Sequence, residues 1–450
     1  MNTNVKLLGM TVMLSMTFAA CSNDELVERN HHDAPISFTT RVTTRATETK
    51  LENLHAFRVY ADANRYDKMF IAGDTAKKSG NGSTYILQSS QKENYFWPSD
   101  VDKIRFWAYG PAGCDHEEDN IIIEPNITAG GQTFGDFTPK VDMSVGGKNH
   151  QDFVVAFTEA VRSETSGMKV KLEFKHALSQ IVVNATCGMG RNVSIKGAWL
   201  MNVHGSGKLT FDNEKAENGE GFDGLKYKNY MNWAYADATE PDKNKANYGV
   251  VYPDNQTENL DQTKRSLISN TNSLMLIPQK IEKQEITKDS KAKSYKGAYI
   301  LLLCRVEVVH PGAEHKEDGE ENNSATEAEA THTHQLFPVT NEKNTNEYGY
   351  TCVPIALDWQ PGVKYAYNLN FCGANSGAGI YPPDGVEDTQ GLPKSEPNGN
   401  LTIIKRPSGK NPGDLVLDAP ITFEVTVGGW EPVNDKDENN GENNQDTPMN

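Results

Sequence analysis

Apolar and polar positions alternate along much of this chain. In residues 170–176, Val170, Leu172 and Phe174 fall on one face, and Lys171, Glu173 and Lys175 fall on the other. Residues 421–427 alternate as cleanly, and residues 364–371 gather Tyr365, Tyr367, Leu369 and Phe371 on one side. Residues 103–109 and 55–60 repeat the pattern. A period of two marks a β-strand with one buried face, because successive side chains leave the strand on opposite sides. Clusters of Gly, Pro, Asn and Asp separate the runs, as tight turns require. No long segment sustains the helical period. The pattern predicts an all-β protein of antiparallel strands, one sheet face buried and one wet. Sheets packed face to face as β-sandwiches bury that one face most simply.

Breaks in the alternation divide the chain. Residues 22–35 are polar and aperiodic. Residues 160–168 (AVRSETSGM) read as an interdomain linker. Residues 311–334 are acidic and of low complexity, and read as a solvated insertion. Residues 374–399 form another Gly, Pro, Ser and Asn stretch, and residues 434–450 read as a disordered acidic tail. The expected organisation is a leader over 1–21, a segment over 22–45 carrying a leading strand, and an N-terminal domain over 46–165. A C-terminal domain over 166–433 follows, with its acidic insertion at 311–334, and then the tail. No internal repeat of fixed period is present.

Charge narrows the range of partners. Lys and Arg total 44 against 61 Asp and Glu, a net of -17. With no concentrated basic face, such a chain is repelled by phosphate, so nucleic acid is excluded as a partner. The first residues concern a membrane. Lys6 precedes a 14-residue apolar stretch over residues 7–20. As a helix it would rise about 21 Å, short of the roughly 30 Å hydrocarbon core, so it reads as a signal peptide. It ends in Ala19-Ala20-Cys21, which resembles the lipobox of bacterial lipoproteins, with Phe18 where Leu is usual. In that motif the Cys thiol is lipidated, which makes Cys21 the candidate lipidation residue and the outer membrane a transient partner through its lipid. The alternative is an ordinary secretory signal with an incidental Cys. Ser22-Asn-Asp-Glu25 then resembles the acidic leader of surface-exported lipoproteins. The other cysteines are Cys114, Cys187, Cys304, Cys352 and Cys372, with no C-x-x-C spacing, and Cys304 lies in an apolar run that predicts a buried thiol. Export permits disulfides, but connectivity is not readable here.

Candidate chemistry is sparse. His204-Gly-Ser-Gly-Lys208 has Leu209 where a phosphate loop needs Ser or Thr, and reads as a turn. No G-x-S-x-G elbow occurs, and His116-Glu-Glu-Asp-Asn120 lacks the second His of a zinc helix. His332 and His334 could share a strand face, but they read as surface histidines, as do His31 and His32. Asp435, Asp437 and Asn439 alternate like calcium-loop oxygens, yet Asn440 stands where the turn Gly belongs, so they read as solvated tail. His176 ends a clean strand on its apolar side and reads as a core or rim histidine with a backbone partner. Tyr95-Phe-Trp-Pro98 reads as core and turn, with a sugar-stacking platform as the other use of such aromatics. No nucleophile, acid–base pair, metal set or cofactor loop can be assembled, so the reading is no enzyme, no catalytic residue, no metal and no cofactor.

Several strands, taken in order, resemble a known family. They are Tyr95-Phe-Trp-Pro98, residues 104–111, Asp152-Phe-Val-Val-Ala156, and residues 170–181 with their Phe-Lys-His-Ala-Leu-Ser-Gln-Ile run. Leu274-Met-Leu-Ile-Pro-Gln279, Trp359-Gln-Pro-Gly362, Tyr365-x-Tyr367 and residues 421–430 complete the series. This succession is similar to the fimbrillin-like (Mfa-like) family of type V pilus subunits, over about residues 36–430. The resemblance implies two tandem transthyretin-like β-sandwich domains and export as a lipoprotein. It also implies proteolytic removal of an N-terminal segment after an Arg. That cut takes out a strand, and a strand donated by another fimbrial subunit fills the groove. The implied role is a structural subunit of a cell-surface fimbrium in adhesion and biofilm formation, with an unidentified host or bacterial surface ligand.

The chain offers residues for each step. Ile36-Ser-Phe-Thr-Thr40 is a short alternating strand, and Arg41 and Arg45 follow it as candidate processing residues. Losing a core strand exposes apolar surface and unpaired backbone groups, so a partner strand has to replace it. The tail over 434–450 has little β propensity as a donor, which leaves residues 421–427 or 401–404. That points to a tip or accessory subunit rather than a stalk unit. The competing reading is a monomeric lipid-anchored surface protein that retains Cys21, either a fimbrial anchor or a binder of glycans or host protein.

Overall fold

A computed structural model of the chain describes residues 34–42, 54–63, 68–80, 83–88, 94–112, 124–128, 131–139, 143–144, 150–215, 227–235, 244–252, 257–268, 273–311, 331–339, 346–396, 400–429 and 445–446. Cys21, His31, His32, Arg45, Cys114, His116 and Asp435 lie outside them, as do most of the acidic insertion and most of the tail. The described residues are all-β, with only short 3₁₀ turns besides the strands.

The N-terminal part holds β1 (Ser37–Val42), β2 (Ala56–Asp62), β3 (Ile71–Lys78), β4 (Thr84–Gln88), β5 (Lys103–Gly110), β6 (Glu124–Thr128), β7 (Gly131–Phe137), β8 (Val154–Val161) and β9 (Lys169–His176). Seven of these close into a barrel in the order β1-β4-β3-β2-β5-β8-β9, and β9 returns to β1. The N-terminal sheet thus curls on itself rather than splitting into two layers. Residues 160–168, read from the sequence as a linker, turn the chain from β8 into β9 inside this barrel. The passage to the next sheets comes later, at Ala177 and Leu178.

The strand pattern explains the core. Along β9, burial alternates as the sequence does, with Val170, Leu172 and Phe174 inside the barrel. Strand β5 departs from simple alternation because both its faces are covered. Ile104, Phe106 and Ala108 fill the barrel, while Trp107 and Tyr109 point outward into a second apolar cluster. β8 does the same, with Val154 and Ala156 inside and Val155 and Phe157 outside.

The C-terminal part holds β10 (Ser179–Cys187), β11 (Arg191–His204), β12 (Gly207–Lys215), β13 (Tyr227–Tyr235), β14 (Lys245–Val251), β15 (Glu258–Leu260), β16 (Arg265–Ser266), β17 (Leu274–Leu276) and β18 (Lys280–Ile281). It continues with β19 (Ala298–Pro311), β20 (Thr331–Phe337), β21 (Glu347–Ile355), β22 (Leu357–Asp358), β23 (Val363–Phe371), β24 (Thr402–Ile404), β25 (Thr422–Gly429) and β26 (Gln445–Asp446). One sheet runs β16-β10-β23-β25-β26, with β17 also on β10. The facing sheet runs β14-β11-β19-β21-β24, with β15 on β11 and β20 on β19. Their inner faces interdigitate in one core that includes Ile181, Ile195, Leu302 and Tyr367. This half is a sandwich. Three strand pairs, β1 with β9, β10 with β23 and β21 with β24, run parallel. Parallel neighbours need a long crossover, which the length of chain between each pair supplies.

The outer face of the β11-β19-β21 sheet is also dry. Trp199, Leu301, Leu303 and Cys352 are covered by Ile286, Val386, Leu392 and Leu401. Part of that cover comes from residues 374–399, whose Gly and Pro content reads from sequence as a break. Here Val386 and Leu392 of that stretch lie across a sheet whose central strand is apolar on both sides.

A fourth sheet, β13-β12-β7-β6, ties the halves together. The β6–β7 hairpin rises from the N-terminal part and the β12–β13 hairpin from the C-terminal part, and they join along β7 and β12. Phe134, Phe137, Leu209 and Phe211 from this sheet pack over Trp107, Tyr109, Val155 and Phe157 of the barrel wall. Replacing Leu209 by Ala is expected to cost about 2–5 kcal/mol and to separate the unfolding of the two halves. Exposed Lys208→Ala should stay within about 0.5 kcal/mol. Urea denaturation followed by far-UV circular dichroism and Trp fluorescence reads both.

Candidate functional site

Closure of the barrel depends on β1. It runs antiparallel to β4, with Ser37, Phe38 and Thr39 opposite Ile86, Tyr85 and Thr84. On its other edge it runs parallel to β9, residues 37–42 opposite residues 169–174. Just before it, Ile36 donates its N–H to the Tyr95 carbonyl at 2.8 Å. The alternation read from the sequence sets the faces. Ile36, Phe38 and Thr40 are 2%, 0% and 6% exposed, whereas Ser37 and Thr39 are only partly covered. The Phe38 ring meets Phe57 and Phe106 edge-on, with centroids 6.1 and 5.7 Å away. Phe57 passes the contact on to Tyr85 and Phe174, at 4.8 and 5.0 Å. Burial of Ile36 and Phe38 contributes about 3–6 kcal/mol at roughly 1.5–3 kcal/mol per side chain. A domain's whole net stability is about 5–15 kcal/mol, so these two side chains of β1 account for a large share of it.

Arg41 lies within β1, opposite Glu173 of β9. Arg45 falls three residues past Val42, the end of β1, and outside the described residues.

The exit from the barrel is pinned. His176, the last residue of β9, holds Nδ1 2.6 Å from Asp152 Oδ2, and the two side chains are 2% and 3% exposed. The other Asp152 oxygen accepts from the Phe153 N–H at 2.8 Å, and the Phe153 carbonyl accepts from Ala177 at 2.8 Å. The Ala177 carbonyl takes the Trp233 indole N–H at 2.9 Å. The Leu178 carbonyl takes the Gly362 N–H at 2.8 Å, and the Ser179 hydroxyl donates to the Gln360 carbonyl at 2.8 Å. Trp359 donates its N–H to the Gln279 carbonyl at 2.9 Å. Gly362 turns at φ +71, a left-handed conformation that favours glycine. Four of the segments that carry the family resemblance therefore converge on one junction. His176 does have a fixed partner, but it is the carboxylate of Asp152 rather than the backbone. Sequence reasoning missed this pair, because 24 residues separate its members. A pair so deeply buried meets no solvent-borne substrate, and its effect is to hold the end of β9.

A second histidine flanks the junction. His204 stacks on Tyr235 with centroids 4.0 Å apart and planes 6° from parallel. Gln279 brackets its backbone, accepting from the His204 N–H at 2.7 Å and donating to its carbonyl at 3.3 Å. Burial, aided by the charge of Lys245, pulls the imidazole down to about 4.

The remaining sequence candidates fall on structural positions. Trp97 is a core residue, 1% exposed, with its indole N–H on the Val101 carbonyl at 2.5 Å. Gly205 and Ser206 form the turn between β11 and β12. Cys304 is buried in the sandwich core, and burial pushes its thiol up. His332 and His334 lie on β20 against β19. Among the described residues no three His, Cys, Asp or Glu side chains converge as metal ligands, and no helix is long and apolar enough to cross a membrane.

The model of the fimbrillin-like family matches residues 44–299, more than half of the chain. The protein belongs to the fimbrillin-like family. It is also similar to fimbrium subunit Fim1C of Phocaeicola vulgatus, 28% identical over 191 residues, which cover 38% of this chain and 48% of that protein. The match thus spans about half the length of this curated relative. Solved structures with some likeness include a candidate cell adhesion protein from Parabacteroides distasonis, 10% identical, with a TM-score of 0.37 over 89% of this chain and 98% of that one. Another is a fimbrial protein from Bacteroides ovatus, 12% identical, with a TM-score of 0.23 over 54% of this chain and 48% of that one. Likenesses of this size are too slight to carry a conclusion.

Two outcomes are expected of this region. Phe38→Ala should destabilise the uncut protein by about 3–5 kcal/mol, while Thr39→Ala, on the outward face, should stay within about 0.5 kcal/mol. Chemical denaturation of the full chain measures both. The low pKa of His204 means that the unfolded chain binds the extra proton first as pH falls. Its contribution is fully present above its ordinary value of about 6.5 and is lost as pH drops toward 4. His204→Phe keeps the stack on Tyr235, and should flatten stability against pH between these limits in denaturation series run at each pH.

Proposed function

We propose that this protein is a structural subunit of a cell-surface fimbrium, and that it joins the fibre by exchanging β1 for a strand of a neighbouring subunit. The observation that carries this reading is the place of β1. It alone stands between β4 and β9, it fills the barrel with Phe38, and the two candidate cut sites lie at and just beyond its end. A cut after Arg45 releases the strand whole. A cut after Arg41 falls inside the ladder with β9, where paired backbone resists a protease. Arg45 is therefore the processing residue on this reading. Lipid on Cys21 holds the precursor at the outer membrane, and the cut sheds the lipid together with β1. The incoming strand runs parallel to β9 and antiparallel to β4, with an apolar side chain where Phe38 was.

An end position in the fibre fits the same geometry. The apolar strands considered as donors, β25 and β24, are engaged elsewhere. β25 pairs with β23 at eight positions and buries Val425 in the sandwich, so donating it would dismantle that sheet. β24 spans three residues against β21. A subunit that accepts a strand and gives none terminates a fibre, as a tip or accessory subunit does. Adhesion and biofilm formation are the roles this position implies.

The test is N-terminal sequencing and intact mass of the protein taken from the cell surface. The expected N-terminus is Ala46, with denaturant-resistant complexes containing other subunits, and Arg45→Ala should abolish both. An acylated N-terminus at Cys21 in fimbriated cells overturns strand exchange. It would leave an anchor or a monomeric lipid-held binder.

A further inference from the structure

The C-terminal sandwich brings two cysteines to the same end of adjacent strands. β10 and β23 are parallel, and Cys187, the last residue of β10, sits opposite Phe371, the last residue of β23. Cys372 follows directly. From the spacing between strands and the rise along one, the Cα atoms of Cys187 and Cys372 are about 6 Å apart. A disulfide spans about 4.4–6.8 Å between Cα atoms. The backbones close tightly here. Gly188 donates its N–H to the Phe371 carbonyl at 2.8 Å, and a Cβ on Gly188 would stand 2.2 Å from the Cys372 carbonyl oxygen.

Side-chain direction is the second observation. Strand alternation would send Cys372 to the face opposite Phe371. Instead Cys372 has φ +47, an uncommon left-handed conformation for a residue other than glycine. It packs against the same core that contains Phe371 and Cys187. The turn therefore aims both thiols at one side of the sheet. Cys304 faces them from β19 in the opposite sheet. Sheets pack about 10 Å apart, which puts its Cα out of bridging range.

We propose that Cys187 and Cys372 form a disulfide in the exported protein. The oxidant is an external disulfide, of a protein or of a small molecule. The half-buried Cys372 thiolate attacks one sulfur of that disulfide and expels a thiolate. Cys187 then loses its proton to water and attacks the Cys372 sulfur of the mixed disulfide, expelling the second thiolate. Two protein thiols are oxidised and one external disulfide becomes two thiols. Burial pushes the Cys187 thiol up to about 12, so the second step runs fastest before the sandwich has packed. The bridge is independent of strand exchange and needs only an oxidising compartment.

The test refolds the full chain in oxidised and reduced glutathione, blocks remaining thiols with iodoacetamide, and digests without reduction. A Cys187–Cys372 peptide pair is expected, with an intact mass lower by two hydrogens, about 2 Da. Reduction should lower the thermal midpoint by about 5–10 °C. Cys304→Ser should keep the pair. Cys372→Ser should lose it, with a midpoint insensitive to reductant. Carbamidomethylation of both Cys187 and Cys372 after oxidative refolding overturns the proposal, as does a bridge from either to another cysteine. If Cys372→Ser fails to fold, the wild-type digest decides alone.

Discussion

A closed barrel has no spare strand. Each strand satisfies the backbone donors and acceptors of two neighbours, and removal of one leaves two facing edges with unpaired groups. In this protein the strand that completes the ring is also the first described in the chain, and it leads into the candidate cut sites. The rest of the molecule can be understood from that arrangement. A ring closed by β1 is stable while that strand is seated, and on the strand-exchange proposal it becomes a vacancy of defined shape once the strand is released. Phe38 would give that vacancy its chemistry, because the rings of Phe57 and Phe106 meet its own edge-on.

The seat of β1 is not isolated from the remainder of the protein. β9 forms one wall of it and ends in His176, whose imidazole is fixed by Asp152. Beyond His176 the chain passes straight into β10, under bonds from Trp233, Gly362 and Ser179. The shared β6–β7–β12–β13 sheet adds a second, apolar attachment between the same two halves. The junction is thus braced by polar bonds on one line and by packed aromatics on another, and both lines run to the barrel that β1 closes.

Much of this was legible in the residue pattern, and the illegible parts have identifiable causes. Alternation placed Val170, Leu172 and Phe174 on one face, and it made Ile36 and Phe38 inward residues of a leading strand. Alternation says nothing about which strand lies beside which. The parallel pairing of β1 with β9 joins residues far apart in the chain, and so does the partnership of Asp152 with His176. Pattern also misleads where a strand is covered on both sides. The run from Tyr299 to Cys304 is apolar throughout because β19 carries a core on each face. The Gly-rich residues after Phe371 supply part of the second cover, although their composition resembles a linker. The boundary near residues 160–168 was drawn at a polar interruption that proves to be two 3₁₀ turns between β8 and β9.

The direction of β1 has a mechanical side. Any strand seated in its place is gripped along both edges, by β4 running one way and β9 the other. A pull along the axis of that strand loads the hydrogen bonds of both ladders at the same time. Bonds loaded together share the force, whereas bonds peeled from one end break in turn. A joint built on this slot would behave as a lap joint in shear, strongest against tension along the seated strand and weakest against a sideways tug at its end.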